Sequence, residues 1–203
     1  MVDHAITAFD DDTRRSSPRA WLRQATELEL AELRAFANEA VVKFLECWPP
    51  LPAKWVPRTE TGLGADLCGG RIVLRGKVDL ALGIARGDEA RVLIVDLKTG
   101  RGQPRHLDDL RFYALVQTLR VGVPPFRVAS YYLDTATFHA EDMTPELLDI
   151  AAGRTVDAVT KMARLADAGA VAALTPGPTC RWCRLAPDCP GPATLEDPDD
   201  LRR

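Results

Sequence analysis

The stretch Val92-Leu93-Ile94-Val95, followed by Asp96-Leu97-Lys98, narrows the folds open to this chain more than any other segment. Four consecutive apolar residues, three of them β-branched, mark a strand buried on both faces at the centre of a sheet. In extended backbone, residues i and i+2 share a face, so Asp96 and Lys98 point the same way. An unpaired charge beside a buried strand is expensive. A second aspartate closes the nearby run Gly76-Lys77-Val78-Asp79. If the two segments pair as neighbours, Asp79 and Asp96 meet at one end of the sheet with Lys98 beside them. Paired carboxylates suit hard divalent cations, and Mg2+ keeps several waters while taking one or two such ligands. An ammonium alongside would hold or polarise an attacking water and stabilise charge building on a phosphate. The plainer alternative is two solvent-facing aspartates with Lys98 as their counter-ion.

The surrounding pattern supplies a domain around that strand. Thr26-Glu27-Leu28-Glu29 is a capping box. Leu30, Leu33, Ala37, Ala40, Val41 and Phe44 then recur at helical spacing until Pro49-Pro50. Strands are expected over 55–68, 71–82 and 91–98, with Gly69-Gly70 as a hairpin turn. A helix over 107–121, strands over 128–133 and 137–140, and a helix from Thr144-Pro145 to about 168 follow. Residues 1–25 read as a loosely ordered lead-in, 26–175 as the core, and 176–203 as a cysteine-bearing tail with an acidic end. At 203 residues the chain can bury a real core. Its 46% apolar and 27% charged residues are those of a globular protein, and a net charge of −3 exerts no global pull on nucleic acid. The absence of an apolar leader in residues 1–17, and of any long apolar run, suggests a cytoplasmic protein with no membrane contact.

The helix-strand-strand-strand-helix-strand order, with Gly76-x-x-Asp79 on one strand and Asp96-x-Lys98-Thr99-Gly100 on the next, resembles the PD-(D/E)XK nuclease superfamily, in its RecB-like branch. The resemblance covers roughly residues 27–190. It implies an α/β, restriction-endonuclease-like core: a central mixed sheet flanked by helices, with a C-terminal cysteine tail. It implies a DNA hydrolase using Mg2+ or Mn2+, with exonucleolytic action and a place in repair or recombination. In it Asp79 and Asp96 would bind metal and Lys98 would assist the water. Members often carry a further ligand on the first core helix; Glu39 is the best-placed candidate there, and Glu60 on the first strand is its rival. The family's Gln-x-x-x-Tyr becomes Asp109-Leu110-Arg111-Phe112-Tyr113 here, so Tyr113 and Asp109 share a helix face and are the expected DNA contacts. An aspartate repels phosphate where an amide would donate, which keeps open a catalytically inactive protein that binds nucleic acid or a repair partner.

Of five cysteines, Cys180, Cys183 and Cys189 form C-x2-C-x5-C, a metal-site spacing. The resemblance implies a 4Fe-4S cluster that clamps the tail, with Cys47 or Cys68 as fourth ligand. Zinc, a site with no metal packed around Trp182, and a redox-sensing cluster protein are the alternatives. Gly70 to Lys77 fails the spacing of a phosphate-binding loop, so any helicase is a separate partner. His4, His106 and His139 are scattered, lack a nucleophile motif and read as ordinary residues.

Overall fold

The computed structural model describes residues 2–11, 19–48, 50–99, 102–103, 105–167, 169–177, 180, 183 and 185–191. Pro49, Gly100, Trp182 and the acidic end at 196–200, which the sequence reading used, lie outside these. The chain divides into two compact units, Met1–Thr155 and Val156–Arg203.

Two helices occupy the stretch expected to be a loose lead-in: α1 (Val2–Asp11) and α2 (Arg19–Leu22). Val2, Ile6 and Phe9 give α1 a one-sided apolar spacing over its ten residues. Arg34 Nε also bonds Asp3 Oδ1 at 2.7 Å, a tertiary contact that sequence spacing does not reveal. Helix α3 (Glu27–Cys47) begins at the capping box: Glu29 N–H donates to Thr26 Oγ1 at 3.2 Å, and Thr26 N–H to Glu29 Oε2 at 2.7 Å. It ends where Trp48 turns extended and donates to the Phe44 carbonyl.

Five strands form one sheet in the order β1-β2-β3-β4-β5: β1 (Arg58–Leu67), β2 (Ile72–Leu82), β3 (Leu93–Lys98), β4 (Arg127–Tyr132) and β5 (Thr137–Asp142). Only the β3–β4 pair is parallel, and α4 (Arg105–Val121) makes that crossover, as a parallel connection requires. Helix α5 (Pro145–Ala166) follows the β4–β5 hairpin. This is the expected mixed sheet flanked by helices. The β1–β2 turn is formed by Cys68, Gly69 and Gly70, all at positive φ. Cys68, expected on a strand, is thus an exposed turn residue.

The sheet separates two apolar clusters. Leu63, Leu74, Val78, Ile94 and Val128 face Leu110, Ala114 and Val116 of α4. On the other side Leu80, Leu82, Val95 and Tyr131 gather with Trp48 and Leu51, and Trp48 meets the Tyr131 ring edge-on at 4.7 Å. Alternation slips inside β2. Val78 and Ala81 join the α4 cluster while Leu80 joins the other, where strict period-2 pairing would keep Val78 and Leu80 together. Asp79 sits at the slip. Its β1 neighbour Glu60 has φ +51 and is missing from the pairing between Thr59↔Leu80 and Thr61↔Val78. No described helix is long and apolar enough to cross a membrane.

Candidate active site

The β2–β3 ladder runs from Leu82↔Leu93 to Leu80↔Val95 and stops, so the next residues to face each other are Asp79 and Asp96. Past this point the strands part. Leu97 N–H donates to Asp79 Oδ2 at 2.7 Å, so a side chain takes over the bonding role of the lost rung. Continuing along β3, Lys98 shares a face with Asp96, and its ammonium stands 2.6 Å from Asp96 Oδ2. That oxygen is buried and has no well-angled hydrogen bond; the ion pair is its compensation.

The charges act on one another. Burial holds the Asp79 carboxyl above the usual carboxylate range. The Leu97 amide opposes this, and the charges of Asp96 and Glu60 add to it. For Lys98, burial works against the ammonium, but contact with Asp96 outweighs it and leaves the pKa above the ordinary lysine value, with Asp109 and Tyr113 contributing. Burial, then Asp96 and Asp109, raise the Tyr113 phenol. Asp109 and Tyr113 are thus both within electrostatic reach of the Asp96–Lys98 pair.

Gly76 explains part of that placement. An added Cβ would fall 2.8 Å from Cδ1 and 2.9 Å from Cε1 of Tyr113, so the ring rests against bare β2 backbone. The glycine of Gly76-x-x-Asp79 is there for the tyrosine of α4.

Of the two candidate third carboxylates, Glu60 touches the site electrostatically and is ion-paired to Lys77. Glu39 instead pairs with Lys43 at 2.9 Å, and Lys43 also reaches Asp134. Among the described residues no three His, Cys, Asp or Glu side chains converge on a metal-sized point. Two carboxylates remain, enough for a cation that keeps most of its water. The tail thiols form no such group either: Cys183 is exposed, Cys180 Sγ accepts from Gly177 N–H and Cys189 Sγ from Gly191 N–H, both at 3.4 Å. Cys47 is exposed and lies against the Tyr131 hydroxyl.

Three residues that sequence reasoning passed over border the site. Ser130 of β4 is in register with Asp96, fully buried, and its Oγ has no hydrogen-bond partner among the described residues. Tyr132 is in register with Lys98, and His106 Nδ1 lies 3.0 Å from its hydroxyl. The signal for His106 was its spacing, three residues before Asp109 and seven before Tyr113, one stripe of a helix.

A family model for the PD-(D/E)XK nuclease superfamily matches residues 2–190. The chain belongs to the PD-(D/E)XK nuclease superfamily. No curated protein matches it. Among solved structures, the one described as the crystal structure of SSO0001 aligns over 92% of this chain and 80% of its own, at 14% identity and a TM-score of 0.42. Membership of the PD-(D/E)XK superfamily gives the chain a nuclease-type fold, and the mixed five-stranded sheet agrees with its restriction-endonuclease-like core.

Proposed function

We propose that this chain is a RecB-like deoxyribonuclease that hydrolyses DNA phosphodiester bonds with Mg2+ or Mn2+. It would act in repair or recombination in the cytoplasm, beside a separate helicase. The observation that carries this reading is the meeting of Asp79 and Asp96 where the β2–β3 ladder ends, with Lys98 Nζ 2.6 Å from Asp96. Crowded carboxylates, one of them held toward its protonated form by burial and by its neighbour, are what a divalent cation relieves. Asp79 and Asp96 would hold that ion. When bound it supplies a Lewis acid and a more acidic water.

The chain's own residues do the rest. Asp96 keeps Lys98 charged, so Lys98 can donate to the attacking water and to a phosphate oxygen. Tyr113, fixed against Gly76, offers a hydroxyl to the same phosphate. Positioning and electrostatics are the main catalytic terms for such a reaction. The C-x2-C-x5-C tail is read, on its spacing alone, as the holder of a 4Fe-4S cluster or Zn2+, although its described thiols do not form a metal-holding group. A brown protein after anaerobic purification speaks for the cluster, and a colourless one carrying zinc rejects it.

A second reading, a nuclease-fold protein that binds nucleic acid or a repair partner without cutting, is favoured by Asp109, which adds negative charge beside Lys98. One assay separates the two. Labelled single- and double-stranded DNA, with free or blocked ends, is incubated with Mg2+, Mn2+ or EDTA. Cleavage should require metal and fall at least about 10²-fold in Lys98→Ala. Cleavage equal in Lys98→Ala rejects the enzyme, and metal-independent DNA binding without cleavage favours the second reading.

A further inference from the structure

One titratable side chain stands against the site with no part in the function above: His106, in the first turn of α4. Three observations place it. Its Nδ1 lies 3.0 Å from the hydroxyl of Tyr132. Tyr132 is in register with Lys98, and such neighbours share a face of the sheet. His106, Asp109 and Tyr113 form one stripe of α4, and the other two members of the stripe both act on Lys98. Tyr132 is itself held: it is buried, its ring stands edge-on to His139 at 5.6 Å, and its phenol end packs against Gly102, where an added Cβ would come within 3.3 Å. A rigid partner, rather than solvent, therefore orients the imidazole.

We propose that His106 accepts the proton of the attacking water in phosphodiester cleavage and that Tyr132 positions it. The proposal rests on the function given above. With Nδ1–H donating to Tyr132 Oη, Nε2 keeps its lone pair. The water gives a proton to Nε2 as its oxygen bonds to phosphorus. The bond from phosphorus to the ester oxygen breaks, its electron pair goes to the leaving oxygen, and that oxygen takes a proton from solvent. The imidazolium then returns its proton to solvent.

The groups that face His106 suit this task. Lys98 and Asp96 face it from β3, Arg105 and Asp109 from its own helix, Tyr132 from β4, and His139 lies beyond Tyr132 on β5. Burial, then Lys98 and Arg105, hold its pKa below the ordinary histidine value against Asp96 and Asp109. The ring is thus neutral and able to accept at pH 7. Lys98, held as a cation, is not.

The test compares wild type, His106→Gln and Tyr132→Phe in Mn2+-supported cleavage of a labelled oligonucleotide from pH 5 to 9. His106→Gln should lower kcat about 10²-fold with KM unchanged, and the loss of rate that wild type shows on the acid side should vanish. Tyr132→Phe should lower kcat less and shift that acid limb. An unchanged kcat in His106→Gln overturns the proposal, as does a lowered kcat with the wild-type pH profile, which is what a merely structural role would give. A second arm needs no cleavage: NMR titration of His106 without metal, in wild type and Lys98→Ala. The His106 pKa should rise once the neighbouring cation is gone. No movement overturns the proposal even where DNA is cut, whereas a wild type that cuts nothing removes the parent function and this step with it.

Discussion

Beneath α4 the sheet carries polar and apolar groups in one layer. Asp96 and Ser130 sit side by side on neighbouring strands, flanked by Ile94 and Val128, and Asp79 reaches the same spot from the slip in β2. On the other face Leu80, Leu82, Val95 and Tyr131 build an apolar cluster with Trp48, next to an open groove of about 430 Å3 lined by Val95, Tyr131 and Phe138. The covered face therefore holds the charged groups. Asp96 Oδ2 is buried with Lys98 as its counter-ion, and Ser130 Oγ is buried without a hydrogen bond among the described residues, as Trp48 Nε1 is on the other side, at a cost of about 1–3 kcal/mol for each of the latter two. The difference shows where a fold places reactivity. Charges gain strength where a helix excludes water, and the surplus of apolar contacts around them carries the cost.

The covered face should contribute more to stability than the open one. Leu110→Ala, at a fully buried position of α4, should lower stability by about 4 kcal/mol, whereas Leu80→Ala should lose about 2–3 kcal/mol, because the more open face relaxes into the space. Denaturant titration of both variants checks this, and equal losses would mean that α4 seals nothing. Gly76→Ala comes next. Its methyl must displace the Tyr113 ring, for about 1–3 kcal/mol of destabilisation and a loss of cleavage beyond what the change in stability explains.

Asp79→Asn is the smallest effect and runs the other way. Because the folded state raises the Asp79 pKa, the native protein binds that proton more tightly than the unfolded chain does. Its stability is full below the unfolded value of 3.8 and declines as pH rises through the folded value. Removing the charge should then stabilise the protein at pH 7 by less than about 1 kcal/mol, since the carboxyl is partly open to solvent, read as a higher Tm, and leave Tm unchanged at pH 3. A variant less stable at both pH values would show that the bond to Leu97 outweighs the charge.

Much of the fold was legible because its strongest signals are local. The capping box at Thr26, the run 92–95, the glycine turn and Thr144-Pro145 each fix an element within a few residues. The register slip at Asp79 was not legible, since it depends on how Glu60 bends across the ladder. Gly76 read as a family mark, and its physical reason, the Tyr113 ring, is supplied by a helix 37 positions further on. His106 was dismissed as scattered because its partner Tyr132 lies on a strand that only the parallel crossover brings alongside Lys98. Local patterns drew the elements, while the contents of the site needed the sheet to be assembled.

The bond from Leu97 N–H to Asp79 Oδ2 has a last consequence, for ion preference. With Oδ2 of Asp79 committed to the backbone and Oδ2 of Asp96 to Lys98, the cation of the proposed reaction would meet one oxygen of each side chain that no described residue engages. Calcium, which favours six to eight oxygens and two-armed carboxylate grips, is poorly served by so sparse a berth. On the function proposed above, a small octahedral ion that carries its own water shell would suit it better.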